Sequence, residues 1–443
     1  MGWAMIKRAI NRIRDNDRGS ALLLLGAALP LLVGAAGIAT DTIQWTLWKR
    51  QLQRAADSAS LAGVYTRIRV NNQTDVASAV ATDLAMNNHV GINLATNYPL
   101  VELPADDGDK RKQVKVTLQI SKALPFTSLF MSSPPTIRAM STAASVPGAD
   151  EYCVIALDPS VSAVGIEITG STYLDLGECS LIANSTNPTQ AASNGNAGTS
   201  GGGTNSQVYA KSLAAGGGVK YSTNWGVKDY DPNSPPVSDP FSSLTIPAKT
   251  ACSKTISGFD KNQDYPQDRR TLDTAGEVVC ITGPVKIQGQ LDLASDVTYV
   301  LDGGDLVMDS TGSSLNCTHC TIALTNYADP TKTGSVNLNG GTVSMTAPVE
   351  GPYKGIAIFQ DRLAAKTGLN HINGNSGAAV TGVMYFPNTL LTYNGGGNLT
   401  AVCMQIVAAR VKFSGSSKIK LSSLCGGDGL TPTGGGQRVR LVA

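Results

Sequence analysis

RGSALLLLGAALPLLVGAAGIATD, residues 18–41, decides how the rest of this chain is read. Between Arg18 and Asp41 no residue carries a charge, and as a helix the run Gly19 to Thr40 extends about 33 Å, enough to cross a hydrocarbon core of roughly 30 Å. Pro30 sits near its middle, a position that membrane helices tolerate through neighbouring groups and local adjustment. Lys7, Arg8, Arg12, Arg14 and Arg18 precede the run, while Asp41 opens the segment after it, so the positive-inside bias places the N-terminus in the cytoplasm. A cleaved signal peptide is the competing reading, with Ala35-Ala36-Gly37 or Gly37-Ile38-Ala39 as a small-residue cleavage site. The run is longer than an ordinary signal-peptide core, and helical character continues past Trp45, Trp48 and Leu52 into the Ala-rich stretch ending at Gly63. Either reading exports the rest of the chain.

Export accounts for the global composition. The protein has 443 residues, 35 basic against 33 acidic side chains and only three histidines, which argues against a nucleic-acid binder with a broad basic surface and against histidine-rich metal chemistry. Charged residues make up 15% and 47 residues are glycine, yet 42% are hydrophobic, a balance that fits a turn-dense β protein better than a helical enzyme or a disordered tail. The eight cysteines Cys153, Cys179, Cys252, Cys280, Cys317, Cys320, Cys403 and Cys425 all follow the apolar run, as expected of a disulfide framework in an oxidising space. Eight cysteines allow roughly a hundred connectivities. Loop closure favours the neighbours Cys153 with Cys179, Cys252 with Cys280 and Cys403 with Cys425, leaving Cys317-Thr318-His319-Cys320. A C-x-x-C pair serves redox catalysts at a helix N-terminus and zinc sites with a second ligand pair; neither context is present, so a structural bridge is the expectation.

Residues 41–65 read DTIQWTLWKRQLQRAADSASLAGVY. Arg18-Gly19, the apolar run, Asp41, and then Leu52, Gln53, Ala55, Ala56, Asp57, Ala59, Leu61, Ala62 and Gly63 in that order resemble the N-terminal module of TadG-like Flp (tight adherence) pilus-assembly proteins. Val64 departs from the pattern, where many relatives have a further alanine. The resemblance implies a single-pass inner-membrane protein with its bulk in the periplasm or envelope. It implies Tad pilus-assembly proteins and pseudopilins as partners, and no catalytic residues or cofactor for this module. For Asp41 and Asp57, capping or inter-helix hydrogen bonding is the expected role.

Farther along, Val76, Val80 and Leu84 recur at helical spacing within Thr74–Asn87, residues 113–120 alternate as a half-buried strand, and Thr136–Val146 reads as its partner. The expected organisation is a basic cytoplasmic segment 1–18, a transmembrane helix 19–40, a membrane-proximal α+β module 41–147, and a disulfide-containing β domain 148–443. Within the last, residues 184–247, with two Gly triplets and prolines at 232, 235 and 236, read as an insertion outside the core. Beyond it short apolar runs recur between Gly, Asn and Asp turns, among them Val285–Leu293, Val297–Leu301, Cys320–Leu324, Val336–Met345, Gly382–Phe386, Val402–Ala408 and Val411–Leu421. Many short strands without helices favour a parallel β-solenoid, with a β-sandwich as runner-up. Cys153–Asn184 and Gly382–Cys425 also resemble the distal regions of TadG-like proteins that lack a von Willebrand A domain.

Two patterns carry the chemical alternatives. Asp158-x-Ser160-x-Ser162 has the spacing of the first element of the A-domain metal site, but the strand–helix alternation that fold requires is missing. Asp302, Asp305 and Asp309 form the nearest acidic cluster for a polysaccharide-active solenoid enzyme, yet two glycines between them favour a turn. The reading with most support is a non-enzymatic envelope protein that assembles, anchors or stabilises a Flp-type pilus. A surface adhesin or minor pilin-like subunit and the solenoid enzyme are the alternatives; type IV prepilins usually bring a glutamate just after the processing glycine, and Ser20 to Leu25 has none.

Overall fold

The structure, a computed structural model, describes residues 17–86, 92–148, 151–194, 206–220, 225–259, 269–374, 379–395, 402–415, 418–422 and 437–442. They form two compact units, one running to Val146 and rejoined by Val439 onward, the other Pro147 to Arg438. The sequence-based expectation places the C-terminal end in the 148–443 β domain, whereas Val439 onward belongs to the first unit. The strand Gln437–Leu441 joins the N-terminal sheet, and the Val442 amide donates to the Thr142 carbonyl at 2.7 Å.

In the first unit a single helix, α1, spans Asp17–Arg69, and a shorter one, α2, spans Gln73–Met86. The apolar run and the Ala-rich stretch are thus one continuous rod, with Pro30 inside it. Three antiparallel strands follow, β1 (Leu100–Glu102), β2 (Arg111–Ser121) and β3 (Thr136–Pro147). The period-two pattern of β2 turns Val114, Val116, Leu118 and Ile120 to one face, where Leu52, Ala55, Ala56 and Ala59 of α1 and Val76 and Val80 of α2 cover them. The exposed upper half of α1 has no such cover: Leu25, Leu29, Leu31, Leu32, Val33 and Ile38 are each more than half exposed.

In the second unit every strand pairing is parallel among the described residues. Strands stack in three columns, as expected of a parallel β-solenoid and not of an antiparallel sandwich. The first column runs, neighbour to neighbour, through 254–257, 279–282, 299–302, 322–324, 358–360, 383–386, 404–408, 154–156, 181–183 and 213–215, ending on 229–232. Register places Val279, Tyr299, Ile322, Ile358, Met384, Ile406, Val154, Leu181 and Leu213 in one inward row, all buried in a common core.

The order of that column is not the order of the chain. The chain enters in the middle at residue 152 and winds outward to Pro232. It then crosses to the opposite end by way of residues 233–252 and winds back until 404–408 closes against 154–156. Within 184–247, Gln207–Ala215 and Trp225–Pro232 are rungs of the stack and not part of an insertion outside the core, with Val208, Leu213 and Ala215 buried. At the triplet Gly216-Gly217-Gly218 close backbone approach, not looseness, requires glycine; a Cβ on Gly217 or Gly218 would strike the carbonyls of Asn187 or Pro188. The triplet 201–203 lies outside the described residues.

The crossing segment is a strap over the outer face of the first column. Beneath it lies the second row of that column, Cys280, Val300, Ala323, Phe359, Tyr385, Val407, Ile155, Ile182 and Ala214, packed against Val237, Phe241, Leu244, Ile246 and Cys252 of the strap. Both faces of these strands are thus buried, which is why they read as continuous apolar runs such as CVIA and IAIF instead of alternating.

Candidate anchoring and assembly site

The residues that carry the family resemblance lie on α1. Leu52, Ala55, Ala56, Ala59 and Gly63 follow helical spacing on one buried face. Small side chains are needed there because β2 lies close: a Cβ on Gly63 would stand 2.8 Å from Val114 Cγ1 and 3.3 Å from Val80 Cγ2. Leu61 is partly buried against the same core, and Ala62 is half-buried. Arg18 and Gly19 lie in the first turn of the helix; Lys7, Arg8, Arg12 and Arg14 fall outside the described residues.

The polar members of the motif fix how the sheet lies along the helix. Gln53 Nε2 donates to Asp57 Oδ1 and to the Met140 carbonyl, each at 2.9 Å. One turn down, Lys49 Nζ donates to the Arg138 carbonyl. Asp41, 5% exposed, reaches the tip of the β2–β3 hairpin: its Oδ1 accepts from the Phe126 amide at 3.0 Å, and its Oδ2 from the amide and hydroxyl of Thr127. Asp41 thereby caps the short 3₁₀ turn Thr127–Leu129, satisfying amides that no helical partner reaches. On the sides of α1, the Ser58 hydroxyl donates to Asp83 Oδ1 of α2 at 3.0 Å, and the Ser60 and Ser141 hydroxyls share a buried hydrogen bond of 3.1 Å. In this geometry Asp57 and Asp41 act as hydrogen-bond acceptors that hold Gln53 and the hairpin tip in place. The opposite face of α1 carries Ile43, Leu47, Arg50 and Arg54, all exposed.

The hairpin tip was not singled out by sequence reading. Its signal is the run 123–134, free of charge and holding Leu129-Phe130-Met131.

The chemical alternatives in the β unit are occupied by structural work. Asp158 Oδ1 accepts from the amide of Ser160 at 3.0 Å and from its hydroxyl, closing a local turn, while Oδ2 lies 4.0 Å from Arg410 Nε. Among the described residues no three His, Cys, Asp or Glu side chains converge as a metal site would require. Asp302 is 8% exposed, not a solvated turn: it accepts from the Tyr327 amide at 2.9 Å and pairs with Lys249 Nζ of the strap at 3.5 Å. Asp305 accepts from the amide of Ser335 at 2.7 Å and its hydroxyl at 3.0 Å, and Asp309 faces Lys286 at 3.5 Å.

Disulfides tie the stack. Cys153–Cys179 joins adjacent rungs, Cys252–Cys280 fastens the end of the strap, and Cys317–Cys320 closes a corner, with Cα separations of 5.8, 5.6 and 5.8 Å. Cys403 is also disulfide-bonded, and Cys425 lies outside the described residues.

A buried charge cluster closes the end of the column where the strap arrives. Arg269 is 4% and Asp273 6% exposed, and they pair directly; Lys254 Nζ reaches Asp273 Oδ1 and the Tyr299 hydroxyl donates to Oδ2, both at 3.1 Å. Burial pushes the Asp273 carboxyl up, but hydrogen bonds from Arg269 and Lys254 and the guanidinium charge outweigh it, leaving the carboxyl below its usual range. Burial likewise pushes the Tyr353 and Tyr327 phenols under the strap up to about 12, so both stay protonated donors.

These features define a class: a small α+β module built on one long helix and followed by a separate parallel-β unit. By length and composition α1 is the one helix among the described residues able to cross a membrane. Residues 19–84 match the family model described as putative Flp pilus-assembly TadE/G-like. The match covers α1 from Gly19 and α2 to Leu84, and stops short of the sheet and the β unit. No curated protein and no solved structure matches the chain.

Proposed function

We propose that this protein is a non-enzymatic component of a Flp/Tad-type pilus machine, held in the bacterial inner membrane by α1 with its N-terminus cytoplasmic and its two units in the periplasm or envelope. The observation that carries the reading is the TadE/G-like match over α1 and α2, residues 19–84. Within that region Leu52, Ala55, Ala56 and Ala59 of the motif belong to the packed core of the module, which supports a scaffold role. The exposed Ile43, Leu47, Arg50 and Arg54 face is where Tad assembly proteins or pseudopilins dock, an apolar stripe with two cations suited to a helix bearing carboxylates. The β unit, stapled and strapped, serves as a rigid envelope spacer or contact surface.

The test is co-purification of the full-length protein from membranes, with Arg50→Glu and Arg54→Glu as a paired variant. Recovery of pilus-assembly subunits with the parent and their loss with the variant supports the reading. Deletion that leaves piliation intact but abolishes adherence favours the adhesin alternative, and degradation of a surface glycan by the purified protein would replace both.

A further inference from the structure

The β2–β3 hairpin descends α1 toward its apolar half. Contacts track this step by step: Gln53 meets Met140, Lys49 meets Arg138, Trp48 lies under the Lys122 ammonium at 4.3 Å, and Asp41 holds Phe126 and Thr127. The Phe126 ring then covers Gly37, leaving no room for a Cβ there. From Gln53 to Gly37 this is about 24 Å along the helix. The tip thus sits beside the last turn of the uncharged run that ends at Thr40.

What the tip presents there is apolar and uncovered. Leu129 is 74%, Phe130 75% and Met131 49% exposed, and residues 123–134 contain no charge. Phe130 is propped edge-on by Phe126, with ring centroids 5.2 Å apart, and the turn that carries it is pinned by the Asp41 carboxylate. An exposed apolar cluster held in place this way, rimmed by Lys122 and Trp48, has the build of an interfacial anchor. On α1 itself, Val33 and Ile38 of the apolar run are 55% and 62% exposed.

We infer that Leu129, Phe130 and Met131 form a membrane wedge that enters the headgroup–acyl boundary of the leaflet on the side of the folded units. The inference rests on the reading of α1 as a membrane span. Its occupant is phospholipid, because the cluster lies at the level where the apolar run of the same module ends and no carboxylate stands on the tip. The wedge gives the module a second foothold, so that α1 cannot spin about its own axis and its Ile43–Arg54 face is presented in a fixed direction.

Single cysteines at positions 129 and 130 (L129C and F130C), carrying an environment-sensitive fluorophore in the full-length protein reconstituted into phosphatidylglycerol–phosphatidylethanolamine vesicles, test this. Leu29→Cys in the apolar run and Val161→Cys on the exposed β unit are the references. The expected result is that positions 129 and 130 are quenched by lipids spin-labelled near the headgroup and are several-fold less sensitive to aqueous iodide than position 161. Iodide quenching equal to that at position 161 overturns the wedge. Protection from both iodide and lipid quencher also overturns it, since protein would then cover the tip. Failure of position 29 to respond to any lipid quencher removes the anchor reading itself, and the wedge with it.

Discussion

The hydroxyl of Tyr385 donates to Oδ2 of Asp239 at 2.6 Å, across 146 residues of sequence. Tyr385 is a rung of the stack and Asp239 belongs to the strap, so this bond fastens the crossing segment to the coils it bridges. Arg362 joins it, 3.3 Å from the same carboxylate oxygen and bonded to the carbonyls of Phe241 and Leu244. Farther along, Tyr353 donates to the Thr245 carbonyl at 2.5 Å and Tyr327 to that of Pro247 at 2.7 Å, so the strap is held rung by rung.

Asp239→Ala leaves the Tyr385 hydroxyl and the Arg362 guanidinium without their carboxylate. The expected cost is about 1–3 kcal/mol, with Tyr385→Phe milder because the Asp239 carboxylate then keeps Arg362. Thermal unfolding of the β unit, followed by near-ultraviolet circular dichroism, ranks the two.

The bridges differ in the loops they close. Cys153–Cys179 spans 26 residues and Cys317–Cys320 only three, so double replacement by serine or alanine costs about 3.5 kcal/mol for the first and about 2 for the second on chain-entropy grounds. Denaturant midpoints of the two variants provide the comparison; equal losses would contradict it.

Asp273→Ala removes a buried carboxylate paired with the Arg269 guanidinium, for an expected loss of about 3–5 kcal/mol. The same pair sets an acid limit. Because the folded carboxyl lies below its unfolded value of 3.8, its contribution is complete above that value and disappears as pH falls through the lower folded one. Stability measured from pH 5 downward should therefore fall less steeply in Asp273→Asn, which starts lower but has no proton to take up there.

Gly63→Val pushes a branched side chain into Val114 and Val80, both in the packed core of the N-terminal module. An overpacking cost of about 1–3 kcal/mol exceeds the gain in helix propensity over glycine, which is below about 1 kcal/mol. Protease resistance of residues 41–147 should drop while that of the β unit is unchanged.

Closure of 404–408 on 154–156 makes the first-translated coils depend on the last. Removing residues 402–443 uncovers the edge of 154–156 and the apolar ends of the core row at Val154 and Met384. The expected outcome is that 151–232 becomes protease-sensitive although none of it is deleted; persistence of a resistant 151–232 fragment would show that the half-stack folds alone.

The uncharged run, the small-residue face at Leu52 to Gly63 and the alternation of 113–120 were legible because each is a local pattern whose period matches one element. The pairs Cys153–Cys179 and Cys252–Cys280 followed from short loop closure, and the parallel stack from many short apolar runs without helices. The strap and the true place of 207–232 were not legible, since glycine that permits close backbone approach has the same letter as glycine that loosens a loop. The partners of Asp302 and Asp41 were equally opaque: Tyr327, Lys249, Phe126 and Thr127 all lie at least 25 residues away from them in sequence.

Sequence by itself thus determined the long apolar helix, the half-buried alternation of 113–120 and the mainly-β character of the disulfide-bearing region, because burial periodicity and charge are written locally. Only the tertiary structure decided that the stack begins in its middle, that residues 233–252 run back over it, and that a hairpin tip comes down beside Gly37. Those are choices among long-range pairings, and they are made by which faces remain to be covered once the local elements have formed.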